Sequence, residues 1–282
     1  MSAGGDIPQL PTGSAALATA LVGLGFMAAS WFLVTRVLRP RLTRKVETPP
    51  LAYRASDLFL VIGIYLGAMI LVGSIAGWLQ GGGEPREFSP QTELSLAALV
   101  QVFSAIGLIL LARALKASPA HFGLADRSPV VSFAWGGLMY LCCLPAIMGA
   151  GAAWTMALQG VGYKVQGQDV AQLVSHAQGT QRVVVFALSA VLIPFLEEFL
   201  FRGFLQNWLV KLRGPKVGIL MTSLFFALLH GISPLGALWV VALAAGMMLQ
   251  WTGSLWAAFG VHAVNNAVST LLLFADPNLF PL

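Results

Sequence analysis

The feature that most constrains this chain is a succession of long apolar runs. Eight are read, at 14–38, 57–79, 94–115, 130–158, 183–210, 217–232, 234–252 and 254–274. A helix needs roughly 20 apolar residues to cross the hydrocarbon core of a bilayer. Only 10% of the 282 residues are charged, against about 25% in a soluble domain, so most of the chain cannot face water. The expectation is an all-α fold, a polytopic transmembrane helical bundle of about eight spans. The sixth run is short. It either tilts or joins the seventh through Gly231-Ile232-Ser233-Pro234, where the proline favours an extended residue before it.

The connecting segments support alternation across a membrane. Arg36, Arg39, Arg41, Arg44, Lys45 and Arg54 lie at or beyond the end of the first run, Arg113, Lys116 and Arg127 of the third, and Lys211, Arg213 and Lys216 of the fifth. By the positive-inside rule these three loops are cytoplasmic. The loop at 80–93 is acidic, with Glu84, Glu87 and Glu93 against one arginine, and the polar loop at 159–182 has only Lys164 and Arg182 as basic residues. Those two face the other side, which places both termini outside. The net charge of +5 is thereby read as topology, and a nucleic-acid partner has no support. Met1 to Thr12 lacks a basic n-region, so no cleavable signal peptide is expected. Cys142 and Cys143 are adjacent in an apolar run, without metal or disulfide spacing, and read as packing residues.

Chemistry concentrates in the last third. Of the 11 acidic residues, only Glu197 and Glu198 lie inside an apolar run. A charge at mid-membrane costs on the order of 3 kcal/mol on insertion scales and is a functional candidate by default. Glu198 and Arg202 are four apart, share a helix face and can pair. Glu197 lies about 100° away around the helix, free to address something else. Pro194 just before them removes a backbone donor, releases a carbonyl and opens space. The chain has four histidines. His121 and His176 fall in loops, whereas His230 and His262 fall in the apolar runs that follow the acidic pair. His262 and Asn266 are four apart on one face, and Asn265 is close enough that spacing does not exclude it. Core packing or hydrogen-bond glue between helices explains each of these polar residues singly. Together, two histidines, a spare carboxylate and an amide form a plausible hydrolytic set. Glu and His deprotonate a water, while His and Asn donate to an oxyanion.

The same residues carry a resemblance. Glu197-Glu198-x-x-x-Arg202, Phe226-x-x-x-His230 and His262-x-x-x-Asn266, in this order on successive apolar segments, resemble the CAAX protease and bacteriocin-processing family, also called Abi. This family includes the Ras-converting CAAX endopeptidase. Pro194 and Phe201-Arg202-Gly203 look like its bacterial members, and His121-Phe122-Gly123-Leu124 loosely resembles a segment that precedes the core in some. The resemblance spans about 185–275, which divides the chain into N-terminal membrane helices over 1–182 and a catalytic core over 183–282. It implies a glutamate-type intramembrane endopeptidase. Glu197 and His230 would activate the water, His262 and Asn266 would form the oxyanion hole, and Glu198 and Arg202 would support them. It implies no cofactor, and as partners the lipid bilayer and a peptide or membrane-protein substrate. The expected location is a bacterial inner membrane.

Other readings have less behind them. No HExxH, no Asp inside a span (Asp57 is at an edge) and no Gly-x-Ser-x-Gly is present. A zinc variant on Glu197, His230 and His262 would leave an open position for water. A proton-coupled transporter, or a non-catalytic scaffold or immunity protein, also uses intramembrane Glu, Arg and His.

Overall fold

The computed structural model describes residues 13–42, 54–80, 90–126, 128–165, 174 and 177–276. His176, most of the 159–182 loop's Gln-rich part and most of the 80–93 loop lie outside them. Among the described residues the chain is helical and has no strand. This is the outcome lipid enforces. Every backbone N–H and C=O must find a partner within the protein, and a helix provides it locally.

The helices are α1 (13–42), α2 (Ala55–Leu79), α3 (Pro90–Ala114), α4 (Pro129–Gly160), α5 (180–213), α6 (215–229), α7 (Leu235–Thr252) and α8 (Leu255–Ala275). The chain is a multi-pass integral membrane protein. Among the described residues, six continuous helical stretches are long and apolar enough to cross a bilayer, with Thr180–Leu229 counted as one. That stretch has 50 residues, about 75 Å at 1.5 Å per residue, far more than a hydrocarbon core of roughly 30 Å. It is broken at Gly214, whose φ of 79° and ψ of 167° leave the helical region and favour a residue without Cβ. Pro215 then opens α6, where its missing N–H costs nothing. The connection expected over 211–216 is thus compressed almost to one residue. The sixth run ends at Leu229, and Gly231, with φ 94°, breaks it from α7.

Among the described residues the two larger of three apolar cores organise the bundle. In one, α4 lies against α1, α7 and α8, through Met139, Tyr140, Cys143, Val241, Ala245, Met248 and Val261 among others. Gly136 and Gly260 bring α4 and α8 into backbone contact: a Cβ on Gly260 would meet the Phe133 carbonyl, and one on Gly136 the Ala257 carbonyl. Close approach at small residues is the usual basis of helix association in lipid. In the other core, α2, α3 and the turn Pro119–Phe122 pack against α5, with Phe122, Phe199, Phe204 and Phe226 at its centre. Phe122 lies 4.7 Å from Phe204 and 5.3 Å from Phe199, centroid to centroid. The turn is also held by backbone and side-chain bonds, from Leu255 N–H to the Gly123 carbonyl and from Asn207 Nδ2 to the His121 carbonyl. His121 therefore belongs to a docking turn and not to the polar cluster. The outer faces of α2 and α3, with Phe59, Ile70, Trp78 and Leu110 exposed, are apolar surface suited to lipid.

The α4–α8 crossing yields a stability test. Gly260→Ala forces the backbones apart and is expected to cost about 1–3 kcal/mol as an overpacking change. Gly67→Ala, on α2 where an added Cβ meets nothing within 4 Å, is the control. Thermal denaturation in detergent should show a lowered midpoint for the first and none for the second.

Candidate active site

The site is built where α5, α6 and α8 converge, and it begins with backbone winding. Residues 187–192 and 199–206 of α5 are π-helical, flanking an α-helical turn from Ile193 to Glu198. Such turns concentrate at functional sites. Ile193 N–H reaches the Leu188 carbonyl, five residues back. The next bond in that register would join residue 194 to the Ser189 carbonyl, but Pro194 has no N–H. The orphaned carbonyl is satisfied by Asn266, whose Nδ2 donates to Ser189 O at 2.9 Å. Asn265 Nδ2 in turn donates to Asn266 Oδ1 at 3.0 Å. The released carbonyl expected at Pro194 is present, and its partner comes from α8.

Below it lies the charged floor. Arg202 Nε is 3.2 Å from Glu198 Oε2, the pair expected from their spacing, and both side chains are essentially unexposed. Arg202 Nη2 donates to the Ala242 carbonyl of α7 at 3.0 Å, and the guanidinium lies 4.8 Å from the centre of the Phe226 ring. One turn on, Gln206 Nε2 donates to the Gly246 carbonyl at 3.0 Å. Small residues Ala242 and Gly246 leave these mid-helix carbonyls reachable. The other oxygen of Glu198 accepts from His262 Nδ1 at 2.9 Å. A carboxylate facing Nδ1 fixes a proton on that nitrogen and turns Nε2 the other way.

His230 is set by a second carbonyl. Its own N–H bonds to Ala227 O in a tightened last turn, which orphans the Phe226 carbonyl. His230 Nδ1 donates to that carbonyl at 2.8 Å. A neutral His230 therefore presents a bare Nε2. Trp154 of α4 pins the following break by donating Nε1–H to the Ile232 carbonyl.

Both free ring nitrogens point at Glu197. Its Oε2 is 3.7 Å from His262 Nε2 and 4.0 Å from His230 Nε2. Those separations exceed a hydrogen bond, so Glu197 Oε2 faces both imidazoles without bonding directly to either. Glu197 and His230 are also the accessible members, at 13% and 29% side-chain exposure, against 5% for His262. The structure thus brings together Glu197, Glu198, Arg202, His230 and His262. Asn266 sits a helical turn from His262 on Ser189. Among the described residues no group of three or more His, Cys, Asp or Glu side chains has the arrangement of a metal site.

One contact was not foreseen. Gln101 of α3, 7% exposed, places Nε2 3.4 Å from Glu197 Oε1. Its sequence signal was present: it is the one amide inside the run 94–115.

The fold and this cluster define a class: a polytopic helical membrane protein with a buried, ion-paired glutamate–histidine centre. Residues 179–268 match the family model described as Rce1-like, type II CAAX prenyl endopeptidase Rce1-like. That segment, about a third of the chain, contains every polar residue named above on α5, α6 and α8, and through it the chain is similar to type II CAAX prenyl endopeptidases. Comparison with curated proteins and with solved structures gave no match.

The floor can be tested on stability alone. Arg202→Met leaves Glu198 buried without its cation and is expected to destabilise by about 3–5 kcal/mol. Adding Glu198→Gln to Arg202→Met should recover part of that loss, read as the thermal midpoint in detergent.

Proposed function

We propose that this chain is a glutamate-type intramembrane endopeptidase that hydrolyses a peptide bond of a membrane-associated or peptide substrate. The observation that carries the reading is the convergence of two imidazole Nε2 atoms on Glu197 Oε2, at 3.7 and 4.0 Å, inside an apolar bundle. The family match over the same helices supports it.

A water held between Glu197 Oε2 and His230 Nε2 meets two acceptors, so both of its hydrogens are engaged and its lone pairs face outward. The Phe226 carbonyl sustains this arrangement by keeping the His230 proton on Nδ1. Glu197 takes one proton as the water oxygen attacks the substrate carbonyl carbon. The carbonyl oxygen becomes an oxyanion. His262, with protons on both ring nitrogens, donates from Nε2. Its Nδ1–H stays on Glu198, and the charges of Glu197, Glu198, Arg202 and His262 then sum to zero. Asn266 is held through Ser189 and Asn265 and supplies its second N–H. Glu197 returns its proton to the leaving amine as the C–N bond breaks. Enclosure by helices raises the strength of each contact.

The substrate would enter from the cytoplasmic side, the side assigned to the basic loops, in a bacterial inner membrane. No metal takes part in this scheme, so cleavage should persist in strong chelator; loss that zinc restores would favour a zinc ion on Glu197, His230 and His262.

Terminal proteomics comparing wild type with Glu197→Gln is the deciding experiment. Neo-termini should appear in wild type and vanish in Glu197→Gln and His230→Ala. With a substrate in hand, each of these two changes should lower kcat by about 10²–10⁴-fold, the range for a positioned base. Asn266→Ala should lower it by about 10²–10³-fold, as for one oxyanion donor. Proton-coupled uptake without cleavage would overturn the protease in favour of a transporter, and full biological function in both mutants would favour a scaffold or immunity protein.

A further inference from the structure

The α2–α3 hairpin lies outside the matched segment, and nothing so far gives it a part in chemistry. Its main packing outside itself is against α5, the helix that carries the acidic pair. The inward face of α3 is Gln101, Ser104, Leu108 and Ala112, all buried, at the three- and four-residue steps of one helical stripe. Gln101 sits level with Glu197, its Nε2 3.4 Å from Oε1.

An amide in an apolar span is costly unless it is bonded. Here the group it addresses is the spare carboxylate. The two oxygens of Glu197 are thereby divided: Oε1 faces the α3 amide, and Oε2 faces His230 and His262. A carboxylate rotates readily about its last bond, which is broad and roughly two-fold. A donor on one oxygen disfavours partial turns, which would lengthen that bond and swing the other oxygen off the histidines together.

We propose that Gln101 is a positioning residue for Glu197: the α3 amide holds Oε1 so that Oε2 stays trained on the water between the two histidines. This rests on the protease reading above. It gives the N-terminal hairpin a role in the site, as the wall that sets the base's orientation. A purely structural amide, fastening α3 to α5, would act on stability and not on turnover.

The test is a cycle on the full-length protein with the substrate identified by terminal proteomics. Gln101→Met keeps length and apolar packing but removes the donor. It is expected to lower kcat about 10- to 100-fold, the scale of a misplaced reacting group, with KM within about two-fold. In a Glu197→Asp background, where the shortened carboxylate no longer reaches the amide, Gln101→Met should change kcat by less than about two-fold, the signature of direct coupling. Ser104→Ala, on the same face of α3 and outside the site, should leave kcat within about two-fold. Gln101→Leu, read in the same cycle, decides the matter if the Met variant does not fold. Unchanged kcat in the Gln101 variant, or an equal fold-loss in both backgrounds, overturns the proposal. Glu197→Gln separates this from the function itself. If it cleaves like wild type, the protease reading fails; if it is inactive while Gln101→Met is unaffected, Gln101 alone is removed.

Discussion

Arg202 is a full positive charge with no exposure, in a bundle whose surroundings are hydrocarbon. Much of the C-terminal architecture answers to it. Its charge is balanced by Glu198, one turn before it on the same helix. Its remaining contacts reach outward, to the Ala242 carbonyl on α7 and the Phe226 ring on α6. Glu198, once held, orients His262 on α8. One buried ion pair therefore sets the relative positions of four helices. A buried pair of this kind is not in general a net source of stability, since desolvation offsets most of its attraction. What it provides here is a defined register, because any sliding of α7 or α8 past α5 would leave a charge or a carbonyl without its partner.

Backbone accounting explains the rest of the polar cluster. In lipid an unsatisfied carbonyl costs several kcal/mol, and two arise here for identifiable reasons. Pro194 orphans Ser189, and the tightened end of α6 orphans Phe226. Asn266 answers the first and His230 the second. The same bonds fix how these side chains are presented. His230 is left with Nε2 as its free nitrogen, and Asn266 is held by both ends of its amide. Residues that read as interhelical glue and residues that read as chemistry are thus the same residues, and the two readings do not compete.

How far the sequence revealed this follows from the range of each interaction. The helical segments were legible because apolar run length is a local property. The Glu198–Arg202 pair was legible because spacing on one helix is too. The meeting of His230 and His262 at Glu197 is a contact between three helices. Spacing could not give it; the rarity of histidine in apolar runs, and the family resemblance, pointed there. The π-helical turns were not legible, since winding depends on which carbonyls find partners elsewhere. The bond from His262 to Glu198 was missed for a related reason: pairing Glu198 with Arg202 left the second carboxylate oxygen out of account. The break at Gly214 was placed within a few residues but expected to be looser, because nothing in a basic stretch says how few residues the turn needs. Gln101 is an amide inside an apolar run, and the argument applied to Glu197 applies to it in weaker form.

Exposure divides the cluster in a way that bears on any hydrolysis in a membrane. Glu198 and Arg202 are sealed, His262 nearly so, and Glu197 and His230 open progressively. A uniformly open site would hydrate the ion pair and weaken its hold on His262. A uniformly closed one would admit neither water nor peptide. Exposure falls from His230 through Glu197 and His262 to Glu198 and Arg202. Phe226 lies in the middle of that gradient. Its ring, 1% exposed, lies tilted at 4.4 Å from His230, edge-on at 5.3 Å from His262 and under Arg202, so one apolar side chain touches both the more exposed and the sealed members.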